Sequence, residues 1–166
     1  MNDGKEELDE LREAVREFLA AKSPQSAVRA AMETGYDPAV WDQMARQLRL
    51  PGLALPGDYG GDGFGLTELG VVLEETGAAL LCSPFFATVA LAAQALLASG
   101  DEAACTRYLP GIATGQTTAT LAAAEGNASW DPAMVSARAE CTPDGWACIG
   151  TLSLTSTRER REGTVW

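Results

Sequence analysis

The side chains that most often carry chemistry are few in this sequence, and their absences narrow the field. Histidine is missing from all 166 residues. With it go the commonest general base at neutral pH, the Ser-His and Cys-His nucleophile pairs and the usual zinc ligand. The four cysteines, Cys82, Cys105, Cys141 and Cys148, form no C-x-x-C pair, so neither a zinc ribbon nor a thioredoxin-like motif is encoded, and they read as buried free thiols. Carboxylates are plentiful. However, Glu74, Glu75 and Glu125 have no local sequence feature that would lift a pKa into the range of a general base, and acidic residues on helices are usually solvated. These grounds assign no catalytic residue and no metal site.

A glycine-rich stretch is the remaining candidate for ligand chemistry. Gly57-Asp58-Tyr59-Gly60-Gly61-Asp62-Gly63-Phe64-Gly65 holds five glycines in nine residues. A phosphate cradle needs exposed backbone N–H groups, and the P-loop form adds a lysine and a hydroxyl. Neither side chain is present, no register fits G-x-G-x-x-G, and the stretch follows a proline-broken connector rather than a strand. The pattern predicts a structural turn.

The elements that must position any site are mainly helical. Leu8, Leu11, Val15, Phe18 and Leu19 recur at helical spacing between Glu6 and Ala21, which predicts a surface helix; Ser23-Pro24 ends it, and a weaker helix is expected over 26–33. Asp37-Pro38 reads as a cap and first-turn proline before the stripe Val40, Trp41, Met44, Leu48. Leu50 to Pro56 reads as a packed, extended connector. A helix over 66–81 follows, with Leu69, Val72, Leu73 and Leu80 on its apolar side.

Ser83-Pro84 opens Phe85 to Ser99, FFATVALAAQALLAS, which is apolar nearly all round and too short to span a bilayer. It is predicted to be an interior helix, with room beside its alanines for either a closely packed neighbour or a long apolar ligand. Gly100 and Asp101 lead to a helix over 103–109, stopped at Pro110-Gly111. From Gln116 the pattern turns to strands, over 117–123, 134–141 and 146–154, with a turn at 142–145. The expected division is a helical domain over 1–115, a partial β domain over 116–154, and a disordered polar tail over 155–166.

Bulk properties agree with a globular chain: 46% apolar and 21% charged residues. The net charge of −11, from 23 acidic against 12 basic residues, repels phosphates, so neither nucleic acid nor a membrane is expected as a partner. The acidic, polar start of the chain predicts no signal peptide and a cytoplasmic, reducing location.

The order of helices, then LPGDYGGDGFGLTELGVVLEETG, then the apolar helix, then DEAACTRYLPGIATGQTTATLA entering strands, resembles the acyl-CoA dehydrogenase family, more narrowly its actinobacterial members of fatty-acid or sterol side-chain breakdown. The likeness covers about residues 5–152. It implies an N-terminal helical bundle followed by an incomplete antiparallel β region, with FAD as cofactor and an acyl-CoA as substrate. In that family a carboxylate of the C-terminal domain removes the α-proton while the β-hydride passes to the flavin.

The same resemblance makes Phe85 to Ser99 a wall of the acyl-chain pocket, with Thr88 and Leu91 lining it. It also places the flavin contacts in the strand and loop over 121–131, at Leu121, Ala123, Ala124 and Trp130. Ala124 stands where the family usually has a threonine, and Trp130 where it has a serine. No counterpart of the catalytic carboxylate is found in the sequence. The expectation is a truncated dehydrogenase, inactive alone, associating in a homo- or hetero-oligomer with dehydrogenase subunits. The alternative is a non-catalytic helical module that binds a partner dehydrogenase subunit or an acyl chain.

Overall fold

The computed structural model describes residues 3–122, 124–125, 131–142, 145–149 and 152–153. The described chain is mostly helical, as predicted, and divides into two compact units, residues 1–119 and 120–166. The tail predicted over 155–166 lies outside the described residues.

In the first unit, helix α1 (Asp3–Lys22) buries Val15 and Leu19 and packs Leu11 and Phe18 against the same core. Helix α2 (Gln25–Thr34) buries nothing. Asp37 caps α3 (Pro38–Arg46) by accepting the Ala39 N–H at 2.8 Å, and Trp41 and Met44 are buried from it. Helix α4 (Leu66–Ala78) contributes Leu69 and Val72. It is shorter than predicted: Leu80 turns left-handed at φ 51° and lies 68% exposed, off the apolar side assigned to it. The Leu81 N–H reaches back to the Thr76 carbonyl at 3.0 Å, which closes the helix in the way a C-terminal glycine normally does.

The connector is packed but not extended. Leu50–Gly52 and Gly57–Tyr59 are single 3-10 turns, and residues 50–55 are all buried. Buried carbonyls require donors, and the glycine-rich stretch supplies them by doubling back. The N–H groups of Gly61, Asp62, Gly63 and Phe64 donate to the carbonyls of Pro56, Gly52, Leu55 and Leu53 at 2.9–3.2 Å. The Gly60 N–H goes to Gly57, and the Gly65 N–H to the Glu68 carboxylate at 2.7 Å. Six consecutive amides are therefore spent within the fold, and none is left to cradle a phosphate. A β-carbon on Gly61 would collide with the Leu55 carbonyl, which is why that position is bare.

One α1–α4 contact is ionic. Glu75 is only 6% exposed and accepts from Arg12 Nη1 at 2.7 Å and from Arg16 Nε and Nη2 at 3.0 and 2.8 Å. Arg12 also reaches Glu74 at 2.7 Å. The Arg16 hydrogen bonds, reinforced by Arg12, hold the Glu75 carboxyl below its ordinary value despite burial.

Beyond α4, residues Phe86–Ala93 form a π-helical segment that continues as α5 (Gln94–Ser99), and α6 (Glu102–Ala113) follows. Asp101 caps α6 through the Ala104 N–H at 2.9 Å. The predicted stop at Pro110 is overridden, because α6 runs through it to Ala113. Burial of Ile112 contributes about 1.5–3 kcal/mol, the size of proline's penalty of about 3 kcal/mol inside a helix, and buried Leu109 and Ala113 add to it.

The second unit contains two antiparallel pairs. Strand β1 (Ala124–Glu125) pairs with β4 (Leu152–Ser153), and β2 (Arg138–Thr142) pairs with β3 (Gly145–Ile149) in the register Thr142↔Gly145. The hairpin falls where the turn at 142–145 is predicted. The strand predicted over 117–123 is not formed at 117–122, whose described backbone lies outside any ladder, and residue 123 is outside the described residues.

Two outcomes test this packing. Gly61→Ala should lower stability by about 1–3 kcal/mol, while Gly57→Ala, whose β-carbon meets nothing, should be near neutral in the same urea titration. Because its folded pKa is depressed, Glu75 contributes stability above the unfolded glutamate value that is lost as pH falls through the folded one. Glu75→Gln should therefore cost about 1.5–3 kcal/mol at pH 7, with the gap to wild type narrowing below about pH 4 in thermal melts.

Candidate functional site

The π-helical segment is the most apolar run in the chain and joins both halves of the first unit's core. Phe85 and Val89 belong to the cluster of α1, α3 and α4, while Ala93 belongs to the cluster of Leu55, Cys105, Leu109 and Ile112. Its buried side carries Ala87, Thr88, Val89, Ala92 and Ala93. Phe86 is 52% exposed, and Ala90 and Leu91 are half-buried.

The π geometry changes which residues share a face. With i→i+5 bonding the turn is wider, so residues four and five apart share a face and those three apart no longer do. Leu91 consequently lies over Phe86, toward the open side, and Thr88 lies over Ala93, in the core. An α-helical reading puts Thr88 and Leu91 together; the structure separates them. Thr88 is fully buried, and its Oγ1 donates to the Ala119 carbonyl at 3.0 Å while accepting the Ala119 N–H at 3.1 Å. Leu91 keeps a partly open surface.

Gln94, at the junction of the π segment and α5, has its Nε2 buried without a hydrogen-bond partner among the described residues. It was not singled out from the sequence, where one glutamine in an alanine-rich helix carries no signal. Such an atom is satisfied by an ordered water or a bound acceptor.

The residues predicted to meet a flavin are only partly described. Leu121 is exposed with no strand at its position, and Ala124 opens β1 opposite Ser153. Ala123 and Trp130 lie outside the described residues. What Leu121 and Ala124 offer a flavin is main-chain N–H and C=O; neither side chain has a hydrogen-bonding atom. Leu121 and Ala124 therefore bring a flavin no side-chain donor or acceptor.

Elsewhere, the titratable groups are structural. Glu75 is the buried carboxylate among the described residues and is neutralised by two arginines. Cys105 is a buried free thiol bonded to the Leu96 carbonyl at 3.3 Å, and Cys82 is a half-buried free thiol. The described residues contain no cluster of three metal-ligating side chains and no helix long and apolar enough to cross a membrane.

Known proteins agree with this arrangement. The family description "Acyl-CoA dehydrogenase, N-terminal domain" matches residues 5–116. Acyl-CoA dehydrogenase IpdE2 of Mycolicibacterium smegmatis is 42% identical over 97 residues, 57% of this chain and 31% of that protein. Acyl-CoA dehydrogenase FadE12 of Mycobacterium tuberculosis is 30% identical over 148 residues, 87% of this chain and 37% of that protein. Among solved structures, a variant of the Tcur3481-Tcur3483 steroid acyl-CoA dehydrogenase superposes with a TM-score of 0.74 at 33% identity, covering 88% of this chain and 40% of that one. The chain thus spans about a third of the length of these curated relatives. The helical unit, its glycine-rich connector and the apolar wall are those of a known fold, and the chain belongs to the acyl-CoA dehydrogenase family through its N-terminal domain.

Proposed function

We propose that this chain is the acyl-chain side of a FAD-linked acyl-CoA dehydrogenase acting on a fatty-acid or sterol-derived acyl-CoA thioester, and that it is catalytically silent by itself. The carrying observation is the π-helical wall, whose half-open face presents Leu91 and Phe86 beside an otherwise packed core. A long apolar chain gains from such a surface roughly 0.8 kcal/mol per buried CH₂. Leu91 is the lining residue on this reading; Thr88 supports the wall from behind. The relative named as a steroid acyl-CoA dehydrogenase supports the sterol-derived class of substrate.

The chemistry itself needs more than the described residues offer. Removing the α-proton of a thioester requires a free carboxylate, and the buried Glu75 is locked between Arg12 and Arg16. Hydride transfer needs the flavin that the family uses, to which Leu121 and Ala124 would offer main-chain groups alone. Both would come from groups beyond the described residues, and association with dehydrogenase subunits, homo- or heteromeric, in the cytoplasm is one source of them. Exposed Phe64, Leu66 and Phe86 favour a second reading as a non-catalytic module docked on such a subunit.

The purified chain should be colourless after incubation with FAD and inert in dye-linked acyl-CoA oxidation. A chimera in which residues 5–116 replace the corresponding domain of FadE12 should oxidise acyl-CoA, and Leu91→Trp in it should raise KM for long chains about tenfold or more. A folded, flavin-loaded chimera without turnover, or a Leu91→Trp variant with unchanged KM, would refute the acyl-wall reading.

A further inference from the structure

Residues 114–122 leave α6 and lead to β1 without forming a strand, yet alternate positions of this stretch are tied down. The Gly115 carbonyl accepts from Trp41 Nε1 at 2.8 Å, and the Thr117 N–H donates to the Gly111 carbonyl at 2.9 Å. At Ala119 both main-chain groups are held by one side chain, Thr88 Oγ1, at 3.0 and 3.1 Å and 31 residues away in sequence. A hydroxyl has one proton to give and lone pairs to receive with, so it can serve a C=O and an N–H at once, as the edge of a neighbouring strand would. Thr88 is the hydroxyl in the π-helical run FATVALAA, and it is 0% exposed. A polar group buried this deeply costs free energy unless bonded, and here its bonding capacity goes to a single residue.

We infer that Thr88 is a positioning residue: its hydroxyl fastens Ala119 to the acyl-wall segment and so fixes where the chain leading to the cofactor side begins. The fastening engages both main-chain groups of Ala119 with a side chain, within a stretch that carries no strand over 117–122.

Hydrogen exchange on the full chain, read at the amides of residues 119–122 with α1 and α4 as internal references, tests the inference. Thr88→Val preserves shape and removes both bonds, so exchange at 119–122 should rise about tenfold while α1, α4 and the melting transition stay as in wild type. Thr88→Ser keeps the hydroxyl and should restore wild-type protection. Unchanged protection at 119–122 in Thr88→Val overturns the inference, as does a Thr88→Ser variant exchanging as fast as Thr88→Val. Should Thr88→Val fail to fold, Thr88→Cys, a weaker donor, replaces it with the same expected and refuting outcomes. A parallel titration of wild type with FAD reports on the cofactor reading alone: absence of binding removes that reading and leaves the exchange result standing.

Discussion

Residues 50–55 pass through the middle of the first unit with every residue buried, and the rest of that unit is arranged around satisfying their backbone. Leu50 and Leu53 belong to one core cluster and Leu55 to the other, so the two clusters share this strip of chain. The Leu50 carbonyl is met within the strip by the Leu53 N–H, and those of Gly52, Leu53 and Leu55 find donors because the chain reverses at once and lays residues 62–64 alongside. Reversal so tight puts Gly60 and Gly63 at positive φ and leaves no space for a β-carbon at Gly61. Arg49 grips Asp62 across the reversal at 2.6 Å, an exposed pair that adds little energy but holds the register.

Charge in this unit serves packing. The Glu75 clasp joins α1 to α4 with three hydrogen bonds from two guanidiniums. Breaking it strands charge at the core's edge, whereas keeping it engages both Glu75 oxygens with guanidinium donors and lowers the carboxyl's proton affinity. The unit's chemical contribution is therefore shape: an apolar wall held rigid from two sides, with Leu91 and Phe86 left toward the open face.

That division of labour suits an enzyme family in which the helical N-terminal domain shapes the pocket and other domains carry the base and flavin. A wall built as a π segment has a further consequence. Its wider turn sends Thr88 inward and Leu91 outward, so one short stretch both leaves an apolar side chain partly open and holds Ala119 by its main chain.

Much of this was legible in the sequence because it is governed locally. The amphipathic period of α1, the Asp37-Pro38 and Asp101 caps, the closure at Gly100, the hairpin at 142–145 and the turn role of the glycine-rich stretch all follow from residue type and spacing. The absence of histidine and the lone cysteines excluded whole classes of chemistry before any fold was known. What the tertiary structure alone decided are the features whose energy comes from distant partners. Glu75 is a clasp because Arg12 and Arg16, some sixty residues away, meet it; α6 outlasts Pro110 because Ile112 has a core to enter; Ala119 is tied down because Thr88, 31 residues earlier, meets both its main-chain groups. Local propensity cannot register any of these, since each depends on which side chain the folded chain brings alongside, and that contact outweighs the preference of the segment itself.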